Sequence, residues 1–142
     1  MKFIITAHPG PDSKPEPGAP FDETLFTAYM KFNEDMHRAG VLVASEGLNP
    51  AVKTARVVAR NGRRAVMDGP FTESKELIGG FYIVEVGSLD EAIGWALKCP
   101  TGLGFDDVLE IHALTGEADV PAHLLDLVKR AAPEWSRSFT KK

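Results

Sequence analysis

The first eight residues alternate between two sets of side chains, as a β-strand with one buried face does. One face carries Phe3, Ile5 and Ala7, and the other carries Ile4, Thr6 and His8. Similar runs predict further strands at residues 41–47, 54–60, 64–68, 81–86 and 108–114. The Asn61-Gly62 pair joins the third and fourth of the six as a hairpin, because both residues tolerate a positive φ.

The strongest helical pattern covers residues 22–39. Its apolar positions recur at steps of three and four: Phe21, Leu25, Tyr29, Phe32, Met36 and Ala39. Asp22 is the expected N-cap, and Gly40 is the expected glycine after the last turn. A second stripe on the same helix is placed to touch a partner subunit: Phe26, Met30, Asn33 and His37.

A second helix is predicted after Ser88, whose spacing to Glu91 has the form of a capping box, and it ends near Lys98, before Pro100. A third begins at Asp119 or Pro121 and ends near residue 133. The tail from residue 136 is expected to fray. Residues 9–20 hold five of the ten prolines and therefore predict a surface loop, long enough to act as a lid.

The order strand, helix, strand, hairpin, strand, helix, strand predicts an α+β, ferredoxin-like (split βαβ) subunit with a β-hairpin insertion. Both helices would cover one sheet face, lined by Phe3, Ile5, Ala7, Tyr82, Val84, Val86, Leu109, Ile111 and Ala113. The other face mixes polar and apolar side chains: Ile4, Thr6, His8, Arg56, Val58, Arg60, Phe81, Ile83, Glu85, Glu110 and His112. Such a face favours a homodimer packed sheet to sheet around a partly polar cavity.

Length and composition narrow the class of protein. A chain of 142 residues with 44% hydrophobic and 25% charged residues fits one globular domain, expected over residues 1–118 with a helical extension over 119–142. The net charge of −4 disfavours nucleic-acid binding, and no apolar run approaches the length of a membrane span. One cysteine, and an N-terminus too short for a signal peptide before Pro9, predict a cytoplasmic protein. No cofactor is expected, since Gly102-Leu103-Gly104 is not a dinucleotide fingerprint. No metal is expected either, because one cysteine excludes a Cys-based zinc cluster and His8 and His112 are not opposite each other on their strands.

One motif resembles the YCII-related family, and in particular its DGPF subgroup. The motif consists of Asp68-Gly69-Pro70-Phe71, then Glu73, Lys75 and Glu76, then Gly79-Gly80-Phe81-Tyr82. Further matches are Glu46-Gly47-Leu48, Asp90-Glu91-Ala92, Trp95-Ala96 and Pro100. The resemblance extends over residues 1 to about 115 and implies a dimeric α+β barrel of ferredoxin-like subunits.

The family's function is mostly unsettled. Relatives are proposed to be enzymes in which a histidine and an aspartate meet in the barrel pocket, and one distant relative is a dehydrochlorinase of a chlorinated hydroxyquinol. Subgroup genes often lie beside sigma factors, which implies a sigma factor as a candidate partner. In shorter members the pocket histidine lies in the first helix, where this chain has Ala28 and Tyr29. Asp68 is therefore the matched position of that pair.

Asp68 has two interpretations. It ends a strand before Gly69 and Pro70, so its carboxylate could cap an Asx-turn. It could also be a general base at the mouth of a pocket. Glu73 could supply a second carboxylate, or belong to a solvated turn.

His8 is the second candidate base. It stands where the first strand meets the proline-rich loop, and Glu110 on the neighbouring strand has the parity to hold one ring nitrogen while the other works. We therefore predict Asp68, His8 and Glu110 as catalytic residues. The predicted ligand-binding residues are Thr6, Glu46, Glu73, Phe81 and His112.

These residues favour a small cofactor-free enzyme that acts on a small organic molecule, with proton abstraction or elimination as the reaction type. The alternative is a non-catalytic ligand-binding or interaction protein, linked to a sigma factor. A metal-dependent oxygenase is a third, weaker hypothesis. Arginines 56, 60, 63 and 64 form a basic cluster on the hairpin, which suits either anion recognition or a solvated edge.

Overall fold

A computed structural model describes residues 1–8, 22–49, 52, 54–69, 78–100 and 108–140, with the side chains of 139 and 140 excepted. The proline-rich segment 9–20 and Glu73 lie outside the described residues. The strands are β1 (Lys2–His8), β2 (Leu42–Gly47), β3 (Ala55–Arg60), β4 (Arg63–Asp68), β5 (Gly80–Glu85) and β6 (Val108–Ala113). The helices are α1 (Glu23–Arg38), α2 (Leu89–Ala96), α3 (Ala122–Ala131) and α4 (Pro133–Thr140).

Four strands form an antiparallel sheet in the order β2-β5-β1-β6. This is the strand order of the split βαβ plan, so the predicted α+β, ferredoxin-like fold is confirmed. Helix α1 connects β1 to β2, and α2 connects β5 to β6.

The core lies between this sheet and the two helices. Alternate residues of β1 and β5 are buried, as the parity of the sequence predicts: Phe3, Ile5, Tyr82 and Val84. Phe32 and Met36 of α1 and Ala92 and Ala96 of α2 pack on them. The Phe32 ring meets the Tyr82 ring edge-on, with 5.4 Å between centroids, an arrangement that adds to the stabilisation from apolar burial.

Local side-chain contacts fix both helix starts. Leu25 N–H donates to Asp22 Oδ1 at 3.0 Å, and Gly40 has a φ of 74°, so both predicted ends of α1 are confirmed. At α2, Glu91 N–H donates to Ser88 Oγ at 3.2 Å. The Glu91 carboxylate accepts from Gly87 N–H at 3.1 Å, one residue before the position that a capping box would use. Helix α2 ends at Ala96, two residues short of the predicted end.

The hairpin β3–β4 is a separate two-stranded sheet, with Asn61 and Gly62 at positive φ in its turn. The prediction that Arg56, Val58 and Arg60 lie on the second face of the main sheet is therefore wrong. The three residues do alternate with the other face of β3, but parity does not specify the sheet to which a strand belongs.

The C-terminal tail is helical rather than frayed as far as residue 140. After a short 3₁₀ turn at Glu117–Asp119, α3 and α4 follow one another around Pro133, which fits the first turn of a helix because its missing N–H would have no partner there. Lys2 Nζ donates to the Ser138 carbonyl, so α4 reaches back to the first strand. The division of the chain near residue 118 stays a prediction.

Candidate active site

A cavity of about 450 Å³ lies between α1, the ends of β1 and β2, and the start of β5. Aromatic and apolar side chains form most of its wall, among them Phe26, Tyr29, Met30, Phe81 and Tyr82. Polar groups come from Asn33 and Ser45, which are joined by a 3.3 Å hydrogen bond, and from His8 and Glu46. An apolar cleft with a few convergent polar groups is the usual form of a small-molecule site.

Gly80 makes the strands' close approach possible at this cavity. A Cβ on Gly80 would lie 2.8 Å from the Glu46 carbonyl oxygen, closer than real Cβ atoms come to backbone. The glycine therefore sets the spacing of β2 and β5 where both border the cavity.

The strand register places four of the predicted site residues in one row across the second sheet face. Glu46 pairs with Phe81, Phe81 with Thr6, and Thr6 with Glu110. In an antiparallel sheet, directly paired residues project to the same face. Glu46 and Glu110 are exposed in the single chain, while Thr6 and Phe81 are partly buried.

His8 lies at the end of this row, and its side chain is 14% exposed. Its Nε2 is 2.8 Å from Thr6 Oγ1 and 3.6 Å from Glu110 Oε2. Thr6 lies two residues before His8 and projects to the same face, and Glu110 pairs directly with Thr6. The register therefore brings the three side chains together. His8 is also among the residues that line the cavity.

His112 approaches the same carboxylate from the other side. Its Nε2 is 3.4 Å from Glu110 Oε2, and its side chain is largely exposed. His112 pairs with Ile4, which lies two residues before Thr6 on the same face of β1. Glu110 is thus shared by the two histidines. Across the described residues, no group of three His, Cys, Asp or Glu side chains is arranged to hold a metal ion.

Asp68 lies at the end of β4 on the separate hairpin, where it is exposed. It is not among the described residues that line the cavity. Its catalytic role stays a prediction, as does the ligand-binding role of Glu73.

Sequence reasoning missed the contribution of α1 to the cavity. Phe26, Met30 and Asn33, from the stripe predicted to touch a partner subunit, line the cavity, and the partner contact stays a prediction. Tyr29 was assigned to the core stripe and also reaches the cavity wall. The signal was present as a second apolar stripe, but the helical period alone does not show whether a stripe meets a partner, a ligand or the chain's own sheet.

Tyr82 connects the cavity to the core. Burial raises the pKa of its hydroxyl, and the neighbouring Cys99, whose Sγ lies 3.9 Å from the hydroxyl oxygen, raises it further. The phenol is therefore neutral at physiological pH.

Comparison with known proteins places the chain in a family. An uncharacterised protein of Rhizobium meliloti (strain 1021) is 43% identical over 58 residues, which are 41% of this chain and 47% of that protein. The chain thus matches about half the length of this relative. A solved structure of 5-chloro-2-hydroxyhydroquinone dehydrochlorinase from Burkholderia phenoliruptrix, in complex with 2,5-dihydroxybenzoquinone, aligns with a TM-score of 0.39 and 19% identity over 85% of this chain and 100% of that one.

The sequence profile of the YCII-related domain matches residues 1–112, which is most of the chain and includes β1 to β5, α2 and nearly all of β6. That span holds every residue predicted from the sequence to form the site. The chain belongs to the YCII-related domain family.

Proposed function

We propose that the protein is a small enzyme that abstracts a proton from a small organic molecule and eliminates a leaving group from it, with His8 as the base. The observation that supports this is the position of His8, a largely buried ring held between Thr6 and Glu110 at the edge of an apolar cavity. A positioned imidazole of this kind is the commonest general base in enzymes.

The proposed step balances without a cofactor. The proposal requires the tautomer in which Nε2 carries the proton. In that tautomer the N–H donates towards Thr6 Oγ1 and Glu110, and the lone pair lies on the other ring nitrogen. That nitrogen takes the proton from a substrate carbon, the C–H electron pair forms a new π bond, and the leaving group departs with its own electron pair. The Glu110 carboxylate stabilises the imidazolium that forms, and also fixes the ring orientation.

The cavity wall suits a planar aromatic ligand. Phe26, Tyr29 and Phe81 offer ring surfaces, and the volume of about 450 Å³ is within the range of small-molecule sites. Asn33 and Ser45 supply polar groups on the α1 side.

We further propose that a homodimer, packed sheet to sheet, covers the row of Glu46, Phe81, Thr6 and Glu110. The support is the second sheet face, where Ile4, Phe81 and Ile83 are still partly accessible in the single chain. A partner would remove this apolar surface from water and exclude water from His8. In such a dimer, an Asp68 contributed by either chain could act beside His8.

4-Nitrophenol tests binding and the basic group together, because its phenolate absorbs visible light and its phenol does not. We expect wild-type protein to bind 4-nitrophenol saturably and to increase the visible absorbance of its phenolate. The variant His8→Gln should lose that rise, and His123→Gln, which changes an exposed histidine on α3, should keep it. Equal spectra for all three proteins would reject His8 as the proton acceptor.

One observation favours a non-catalytic interaction protein as the second candidate. Phe26 is 49% and Met30 42% exposed on α1, and exposed apolar side chains often mark contact surfaces. A protein partner, with a sigma factor as the candidate from gene context, would then cover the mouth of the cavity. Under this alternative, ligands bind but no turnover follows.

A further inference from the structure

The hairpin β3–β4 is a two-stranded sheet of its own, and we call residues 54–69 the arm. Every residue of β4 is exposed, and Val57, Val66 and Met67 are apolar residues with 59%, 68% and 44% exposure. A two-stranded hairpin alone is at best marginally stable in water. The exposed apolar residues therefore indicate a surface that the arm packs against.

The arm is strongly basic. Residues 54–69 contain four arginines and one aspartate, a net charge of +3. Because the whole chain carries −4, the residues outside the arm carry −7. Arg60 and Arg63 face each other directly across the hairpin, which is unfavourable for like charges unless acidic groups approach them. Within the part of the chain that the structure describes, Arg60, Arg63 and Arg64 form no ion pair.

An acidic groove of about 730 Å³ lies on the second sheet face, between β5, the 3₁₀ turn and α4. Glu85, Glu117 and Asp119 line it, and so does Trp135. Two positive groups also belong to the described lining: Lys2, whose Nζ donates to the Ser138 carbonyl, and the Met1 ammonium, which donates to the Val86 carbonyl at 2.9 Å. The three carboxylates outnumber them. None of the arm residues lines the groove of its own chain.

We propose that the arm of one protomer docks in the acidic groove of a second copy of this chain, and that the partner's arm does the same in return. Arginine pairs with carboxylates through two parallel hydrogen bonds and stacks on tryptophan, so the groove offers both of its preferred contacts. Reciprocal docking is what two-fold symmetry requires. The groove opens on the sheet face that the proposed homodimer covers, so both contacts belong to one interface.

Charge selects a second copy over a polyanion as the occupant. A nucleic acid or an anionic membrane that approached the arm would also meet the −7 of the remaining chain, and like charges repel it. A second copy presents that same negative charge as the attractive surface.

A charge exchange tests the proposal by sedimentation velocity over a range of protein concentrations. Arg63→Glu with Arg64→Glu reverses the charge of two arm residues, and Glu85→Lys with Glu117→Lys reverses the charge of two groove residues. We expect each pair to raise the dimer dissociation constant about tenfold or more. The protein with all four changes should return to a dissociation constant close to that of wild type. Lys31→Glu with Arg38→Glu on α1 makes the same change of net charge as the arm pair and should leave the dimer intact. Circular dichroism checks that each variant is folded.

Several outcomes would overturn the proposal. The first is a monomeric wild-type protein, and the second is a dimer that neither pair of substitutions weakens. The third is a quadruple variant that dimerises no more tightly than the double variants. Co-sedimentation of wild-type protein with anionic vesicles or duplex DNA, lost in the arm variant, would assign the arm to a polyanion instead. None of these results depends on the chemistry of His8, so the test is separate from that of the proposed function.

Discussion

At the scale of single residues, the buried Tyr82 hydroxyl links stability to pH. The pKa of Tyr82 is raised from an ordinary value of 10.0 mainly by burial. The unfolded chain therefore loses this proton at lower pH than the folded one, so the stabilisation is complete below about pH 10 and is lost progressively at higher pH. We predict that the free energy of unfolding falls above pH 10 in wild type and falls less steeply in Tyr82→Phe, measured by urea titration. Parallel curves for the two proteins would contradict this.

Gly80 provides a second prediction at this scale. A Cβ there would meet the Glu46 carbonyl at 2.8 Å, so Gly80→Ala must push β2 from β5. We expect a loss of about 1–3 kcal/mol in unfolding free energy, as for an overpacked core, together with weaker ligand binding in the adjoining cavity.

Gly94→Ala is the matched control for Gly80→Ala, because a Cβ on Gly94 meets nothing within 4 Å and the residue lies inside α2. Alanine there should stabilise the protein by about 0.5–1 kcal/mol. If chemical denaturation gave a change in unfolding free energy of the same sign for both variants, the spacing of β2 and β5 would not be set by Gly80.

Single-residue geometry was predictable where strand register determines it. The alternation of β1 and β6 was enough to place His8 near Glu110, and their side chains are 3.6 Å apart. The place of Asp68 was not predictable, because it depends on where the hairpin lies rather than on the residues next to it. Family resemblance identified Asp68 as a matched position but does not supply that geometry.

At the scale of secondary-structure elements, the start of α2 depends on one side chain. Ser88 Oγ accepts from Glu91 N–H, which would otherwise lack a partner in the first helical turn. We predict that Ser88→Ala costs about 1 kcal/mol of unfolding free energy in urea titration. Ser88→Asp keeps an acceptor and should cost little, so equal losses in the two variants would show that capping is not the cause.

Elements were predictable where a local signal and the global packing agree. Both ends of α1 have strong local signals in Asp22 and Gly40, and the structure uses both. The tail was misjudged because SRSFTKK has little apolar character of its own, whereas α4 is stabilised by contacts elsewhere, including that of Lys2 with Ser138. Contacts between residues so distant in sequence leave no periodic signal.

At the scale of the whole molecule, the second sheet face predicts self-association. We expect light scattering at micromolar concentration to give twice the 15.4 kDa mass of one chain. Burial of Ile4, Phe81 and Ile83 would supply the apolar part of the free energy. The mass of a single chain at that concentration would contradict the dimer. Among the described helices none is both long and apolar enough to cross a membrane.

The proposed role of His8 as a base beside an apolar cavity can be tested by a model elimination that needs no knowledge of the natural substrate. In 5-nitrobenzisoxazole a base removes the ring C–H proton, the N–O bond breaks, and a coloured cyanonitrophenolate forms. We predict that wild-type protein accelerates this reaction with saturation, that His8→Gln lowers the rate by about 10²–10⁴, and that His123→Gln leaves it unchanged. Equal rates for wild type and a folded His8→Gln protein, or no acceleration by wild type, would show that His8 is not a base of this kind.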